Sequence, residues 1–85
     1  MTDTTEISLT VRYFAILREQ RGLSEERLTL PATTAGDLYD QLRRTHGFSL
    51  EPTLVRVAVN HAFTPSSTPL TDGDEVVFIP PVAGG

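Results

Sequence analysis

The segment Glu75-Val76-Val77-Phe78-Ile79 constrains the fold more than any other, because as a strand it is apolar on both faces. Such a strand belongs beside another strand in the interior of a sheet, or keeps one apolar face for a partner. Pro80 and Pro81 follow at once. They fix φ and lack N–H donors, so they end the strand and project what comes next in extended form. What comes next is Val82-Ala83-Gly84-Gly85, a slender tail with a reach of about 13 Å at roughly 3.3 Å per residue.

The opening of the chain supplies the neighbour. Ile7, Leu9, Val11 and Tyr13 alternate with Ser8, Thr10 and Arg12, the period of a half-buried strand. Phe14 and Leu17 then stand at helical spacing before Gly22, which predicts a short helix within Tyr13 to Arg21. Leu28 and Leu30 alternate ahead of Pro31, giving a second strand close enough to the first to pair antiparallel with it.

Thr34 is a capping residue, and Asp37 sits at the third helical position, near the positive end of the helix dipole. The helix they start carries Ala35, Leu38, Tyr39, Leu42 and His46 on one face and stops at Gly47 after about 12 residues. Val55, Val57 and Val59 alternate next, and Asn60-His61 reads as a tight reversal into Ala62-Phe63-Thr64. A loop from Pro65 to Pro69 and the turn at Asp72-Gly73-Asp74 lead to the last strand.

This order predicts an α+β fold, a mixed sheet of about five strands packed on one main helix, with the last strand beside the first. That is the ubiquitin-like β-grasp arrangement. The expected division is a polar N-terminal extension over 1–6, a β-grasp domain over 7–81 and a flexible Gly-Gly tail over 82–85. With 85 residues there is room for one small domain only.

Composition excludes several functions. The net charge is −4, with no basic stripe, which argues against nucleic-acid binding. There is no cysteine, so disulfides, thiolate metal sites and thiol nucleophiles are ruled out for these residues. The polar, acidic start lacks the blocks of a signal peptide and no stretch approaches a membrane span, so the expectation is a cytoplasmic protein. Of the seven cationic side chains every one is arginine, an absence of side-chain amines for which codon usage is the simpler account.

Side chains offer no catalytic constellation. His46 and His61 are far apart in sequence, no serine sits in a nucleophile motif, and no glycine-rich phosphate loop exists. Asp72-Gly73-Asp74 lacks the remaining ligand positions of a calcium loop and reads as a plain turn, and no metal site is expected. The tail is different. Two residues without Cβ fit a narrow tunnel, and a carboxylate on Gly85 would be the one reactive group delivered there. A carboxylate is a poor acyl donor, so it needs activation, most simply as an acyl-adenylate made with ATP. Sulfide or a persulfide can then displace AMP to give a thiocarboxylate, a soft nucleophile that needs no cysteine.

Four blocks carry a resemblance: Tyr13-Phe14-Ala15-Ile16-Leu17-Arg18-Glu19, Ala58-Val59-Asn60, Pro69 to Val76 and Phe78-Ile79-Pro80-Pro81-Val82-Ala83-Gly84-Gly85. Together they resemble the small subunit of molybdopterin synthase, a ubiquitin-like sulfur carrier family, over nearly the whole domain. The resemblance implies a carrier whose Gly85 is adenylated by a ubiquitin-activating-type adenylyltransferase and thiocarboxylated. Val82, Ala83, Gly84 and Gly85 would insert into the large subunit of the synthase, and sulfur would pass to cyclic pyranopterin monophosphate. Such synthases are heterotetramers of two small and two large subunits, with the catalytic side chains on the large one. No cofactor would be bound by the carrier itself, ATP being used by the activating enzyme.

Phe14, Arg18, Phe78, Ile79 and Pro80 match positions near the partner surface, although Phe14, Phe78 and Ile79 are equally compatible with core packing. Ala83 replaces a common threonine and Ile79 a common aromatic. The alternatives are a carrier for thiazole or cysteine synthesis, a modifier that joins Gly85 to lysine amines of target proteins, and a passive β-grasp interaction module.

Overall fold

A computed structural model of the chain describes residues 6–81; the expectations for the tail, 82–85, and for residues 1–5 lie outside the described residues. Strand β1 (Glu6–Tyr13) pairs antiparallel with β2 (Glu25–Pro31), from Glu6 opposite Pro31 to Arg12 opposite Glu25. Glu6, assigned to the polar extension on sequence, is thus the first residue of the sheet. Pro31 is tolerated because β2 is an edge, where no further ladder needs its missing N–H.

Helix α1 (Ala15–Arg21) joins the two strands, and helix α2 (Ala35–His46) follows β2. A 3-10 turn at Pro52–Leu54 leads to β3 (Arg56–Val59), β4 (Ala62–Thr64) and β5 (Glu75–Ile79). The sheet order is β2-β1-β5-β3-β4, so the last strand is central. It runs parallel to β1, ending with Tyr13 opposite Phe78, and antiparallel to β3, from Arg56 opposite Ile79 to Val59 opposite Val76. The β-grasp order expected from the apolar last strand is therefore the one observed.

One face of the sheet is closed by the helices. Ile7, Leu9, Val11, Tyr13, Val57, Val76 and Phe78 meet Leu17, Leu38, Tyr39, Leu42 and Phe48 in a single core. Its aromatic centre is Tyr39, whose ring lies 5.2 Å from that of Phe78 and 5.9 Å from that of Phe48, while Tyr13 meets Phe48 edge-on at 5.8 Å. Helix α2 starts as its sequence demands: the Thr34 hydroxyl accepts the Asp37 N–H at 3.2 Å. The two N–H groups before it donate to the 65–68 loop, Ala35 to Thr68 O at 3.0 Å and Gly36 to Ser66 O at 2.8 Å. Gly47 closes the helix in the left-handed region at φ 72°.

Buried polar groups pin the turns that the sheet depends on. Asn60 and His61 both have positive φ, 52° and 73°, which is the geometry of a two-residue hairpin matched to sheet twist. Asn60 also donates to Asp74 Oδ1 at 2.8 Å and accepts the Glu75 N–H at 2.9 Å. Asp74 is 8% exposed. Burial works to raise its carboxyl, but the hydrogen bonds from the Thr71 N–H, Asn60 and the Thr71 hydroxyl prevail and hold it below its ordinary value. The turn at 72–74 is further stitched to β1, Gly73 N–H donating to Ser8 O at 2.7 Å and Ser8 N–H to Asp72 Oδ1 at 2.7 Å. Asp72 and Asp74 thus tie the turn to β1 and to the Asn60 hairpin.

Candidate functional site: the rim where the first and last strands leave the sheet

Because β1 and β5 are parallel and their ladder ends with Tyr13 opposite Phe78, the next residues along each strand emerge at the same rim. On β1 this is Phe14, extended at φ −128° and ψ 153°, with its ring 45% exposed. On β5 it is Ile79, half-buried, followed by Pro80 and Pro81, from which residues 82–85 continue. Arg18 lies one helical turn past Phe14, its N–H donating to Phe14 O at 3.4 Å, and is exposed. Four of the five residues expected at a partner surface thus gather around the point where the tail begins.

Phe78 is the correction. At 1% exposure it faces Tyr39 and Val57 inside the core, because alternation along β5 that turns Ile79 outward must turn Phe78 inward. Its contribution to the rim is indirect, through the strand it anchors.

The open face of the sheet continues from this rim. Val77 lies opposite Ala58, Ala58 opposite Phe63, and Ile79 opposite Arg56, so an apolar strip crosses from β5 over β3 to β4. Phe63 is 58% exposed and carries the Arg56 guanidinium 4.2 Å above its ring. Arg56 and Phe63 were not singled out on sequence. The signal was present in Ala62-Phe63-Thr64, a lone aromatic in a three-residue strand, but only the register with Ala58 places it in the strip.

Electrostatics divide this face. Arg12 bridges Glu25 at 3.3 Å and Glu75 at 3.2 Å, and His61 Nε2 stands 3.3 Å from the other Glu75 oxygen. Those carboxylates are matched at the Glu75 side, whereas Arg18 and Arg56 have no carboxylate partner among the described residues. The rim beside the tail is accordingly apolar and basic, in a chain of net charge −4.

Helix α1 is held hard against the sheet. Gln20 exchanges two hydrogen bonds with Ser49, at 3.0 and 3.1 Å, and Leu17 is fully buried. Arg21 grips Glu26 with both arms of its fork, at 2.9 and 2.7 Å, and the buried Tyr13 hydroxyl donates to the same carboxylate at 2.6 Å. The Arg21 hydrogen bond is the main reason the Glu26 carboxyl titrates below its ordinary value. Burial first, and then the bond to Glu26, push the Tyr13 hydroxyl well above the ordinary phenol range. At the other end of α1, Ala15 has φ 54°, a left-handed conformation costing a non-glycine residue about 1 kcal/mol or more.

The side chains that the rim exposes, Phe14 and Arg18, are one apolar and one basic. Among the described residues no cluster of three metal-ligating side chains exists. His46 rests against Phe48 at 5.8 Å and His61 sits in its exposed turn, so the two histidines do not meet.

The same sheet arrangement is found in known proteins. The ThiS family model matches residues 11–85. The chain belongs to the ThiS family. Among its relatives, the molybdopterin synthase sulfur carrier subunit of Mycobacterium tuberculosis is 41% identical, over 93% of this chain and 99% of that protein. In structure, the Haloferax volcanii HVO 2177 protein superimposes with a TM-score of 0.82 at 30% identity, covering 100% of this chain and 92% of its own. A chain of the Helicobacter pylori complex of subunits 1 and 2 of molybdopterin-converting factor does so with a TM-score of 0.62 at 28% identity, over 93% of this chain and 100% of that one. The protein is thus a ThiS-family β-grasp domain of the molybdopterin synthase sulfur carrier type, and among its described residues no helix is long and apolar enough to cross a membrane.

Proposed function

We propose that this protein is the sulfur-donating subunit of a molybdopterin synthase. The observation that carries the reading is the convergence of Phe14, Arg18, Ile79 and Pro80 at the rim from which residues 82–85 continue. In this reading the apolar and basic rim docks on a large subunit, and Val82, Ala83, Gly84 and Gly85 enter its active site. The Helicobacter pylori structure of a complex of subunits 1 and 2 of molybdopterin-converting factor supports such a partner. The assembly would be a heterotetramer of two small and two large subunits.

The reaction starts from the carboxylate of Gly85. An adenylyltransferase of the ubiquitin-activating type joins it to the α-phosphate of ATP and releases pyrophosphate. Sulfide then displaces AMP, or a persulfide does so and a thiol cleaves the resulting acyl disulfide; either route leaves a thiocarboxylate. In the synthase that sulfur would attack a carbon of cyclic pyranopterin monophosphate and displace an oxygen from it, leaving the carrier joined through a thioester; water then cleaves the acyl–sulfur bond, so that the sulfur stays on the pterin and the carrier returns as the carboxylate. The carrier supplies no acid or base, and the catalytic side chains reside on the large subunit.

The test is the intact mass of the protein after incubation with ATP, an adenylyltransferase proven on another carrier, and sulfide. A gain of about 16 Da, one oxygen replaced by sulfur, that vanishes when Gly85 is deleted is the expected result. No gain would end the sulfur-carrier reading. A gain without molybdopterin formation by the cognate large subunit would redirect it to another sulfur pathway, such as thiazole or cysteine synthesis.

A further inference from the structure

We propose that the outer edge of β2, together with the cleft between β2 and α2, is a docking site for an extended segment of a partner protein, which adds to the sheet as a new edge strand and carries an acidic residue for Arg27. The site is separate from the rim and from the apolar strip, and it stands whether or not Gly85 carries sulfur.

The backbone provides half of the site. β2 ends the sheet, so only one of its sides is paired. Tyr13 N–H donates to Ser24 O at 2.9 Å, and antiparallel alternation from that pair turns the main-chain groups of Glu26, Leu28 and Leu30 toward β1. The N–H and C=O groups of Glu25, Arg27 and Thr29 therefore point away from the sheet. They have no protein partner among the described residues. Such an edge is a template for another strand, and Pro31 limits the pairing at one end because it has no N–H to give.

Side chains provide the other half. Alternation along β2 sends Leu28 and Leu30 to the helix side and Arg27 and Thr29 to the open face, where the Thr29 hydroxyl meets that of Ser8 at 3.2 Å. Leu28 and Leu30, with Leu38 and Leu42 of α2, line a cleft of about 270 Å³ bordered by Gln41 and Thr45. A strand laid along the edge sets every second side chain against this cleft and the alternate ones beside Arg27 and Thr29.

Charge selects the occupant. Glu25 is bridged to Arg12 and Glu26 to Arg21, whereas Arg27 is exposed and has no carboxylate partner among the described residues. Asp37 and Asp40 border a different cleft, on the flank of α2 that faces β3. The segment that fits is apolar at alternate positions with an acid between them. A second copy of this chain fits less well, because seven edge residues fall well short of the roughly 800 Å² per partner that a stable dimer buries. Since β1 separates β2 from β5, a segment docked here leaves Ile79 and Pro80 uncovered. One partner can thus hold the protein while another engages the rim.

The probe is the peptide acetyl-Val-Thr-Val-Glu-Val-Thr-amide, titrated into the isotope-labelled full chain and followed by NMR. Saturable shifts are expected at the Glu25 to Leu30 amides and at Leu42 and Thr45, with exchange at the Arg27 and Thr29 N–H groups slowed about tenfold or more by their new hydrogen bonds. Two further peptides, N-methylated at alternate amides in opposite phases, separate strand pairing from simple apolar contact: the phase that faces β2 should bind about tenfold more weakly or worse, and the other like the parent. Arg27→Glu, an exposed substitution, should keep the wild-type unfolding temperature and lose about three- to tenfold in affinity. No saturable shift at about 1 mM peptide, equal losses in both methylated phases, or shifts centred on Phe14, Val77 and Phe63 would each overturn the proposal. So would protection of Arg27 and Thr29 that grows with protein concentration in the absence of peptide, which would give the edge to a second copy.

Discussion

Tyr13 and Phe78 face each other as the last rung of the parallel β1–β5 ladder, both turned into the core at 0% and 1% exposure. Their successors, Phe14 and Ile79, turn outward. Two adjacent positions on one strand should therefore behave in opposite ways. Phe78→Ala is expected to destabilise the domain by about 3–5 kcal/mol, the cost of emptying a large aromatic site. Ile79→Ala should cost less than about 1.5 kcal/mol, since its side chain is half-exposed, while weakening docking on the large subunit. Chemical unfolding and calorimetry of both variants decide it; equal stability losses would contradict the assignment of faces.

The Glu26 carboxylate gives the fold a pH dependence whose sign follows from its lowered titration point. A group held below its ordinary value stabilises the fold fully above that ordinary value, near 4.5, and loses the contribution as pH falls through the folded one. Glu26→Gln keeps the shape but loses the charge that meets Arg21, and should cost about 1–2 kcal/mol at pH 7. The gap between wild type and variant should close as melts are repeated toward pH 3. A constant gap would mean that packing, not the ion pair, is what the substitution removes.

Gly36 presents a case in which helix propensity predicts the wrong sign. Alanine in a helix is better than glycine by about 1 kcal/mol. A Cβ on Gly36, however, would stand 3.0 Å from the Ser66 Cβ and 3.1 Å from the Ser66 carbonyl oxygen, which accepts the Gly36 N–H at 2.8 Å. Relief requires moving that carbonyl and breaking the bond. Gly36→Ala is expected to destabilise by roughly 1 kcal/mol net; a higher melting temperature in the variant would show that the 65–68 loop yields at no cost.

Asn60 performs two tasks that different substitutions separate. Asn60→Gly retains the positive φ but removes the bonds to Asp74 and the Glu75 N–H, whereas Asn60→Ala loses both. The glycine variant should lose about 1–3 kcal/mol from the hydrogen bond withdrawn from the buried Asp74 carboxylate, and the alanine variant about 1 kcal/mol more. Denaturant unfolding of the pair resolves the two contributions. Equal stabilities would remove the backbone from the account.

The elements were legible because their signals are local. The alternation of Ile7 to Tyr13, the Thr34 cap and the Gly47 stop each act within a few residues, and the doubly apolar Glu75 to Ile79 dictated its central place. The rim was half legible. Phe14, Arg18, Ile79 and Pro80 came from the resemblance, and the parallel ladder brought them together; Phe78 was misplaced because its burial depends on which face of β5 meets Tyr39, which composition does not say. Phe14 and Leu17 were read as one helical face, since nothing in an alanine between them announces a positive φ. Arg56 and Phe63 meet across two strands, and the Tyr13-Glu26-Arg21 cluster forms only when β1, β2 and α1 close; pairings of that range leave no mark in sequence spacing.

The central place of the last strand also bears on how the protein is made. A polypeptide emerging from the ribosome brings out β1 first and β5 nearly last, and until β5 arrives β1 and β3 lack the strand that joins them. The sheet therefore closes late in synthesis. Any translation product cut short before Glu75 lacks the middle of its fold as well as its tail, so truncated chains are fodder for proteolysis rather than folded competitors for the partners of the complete protein.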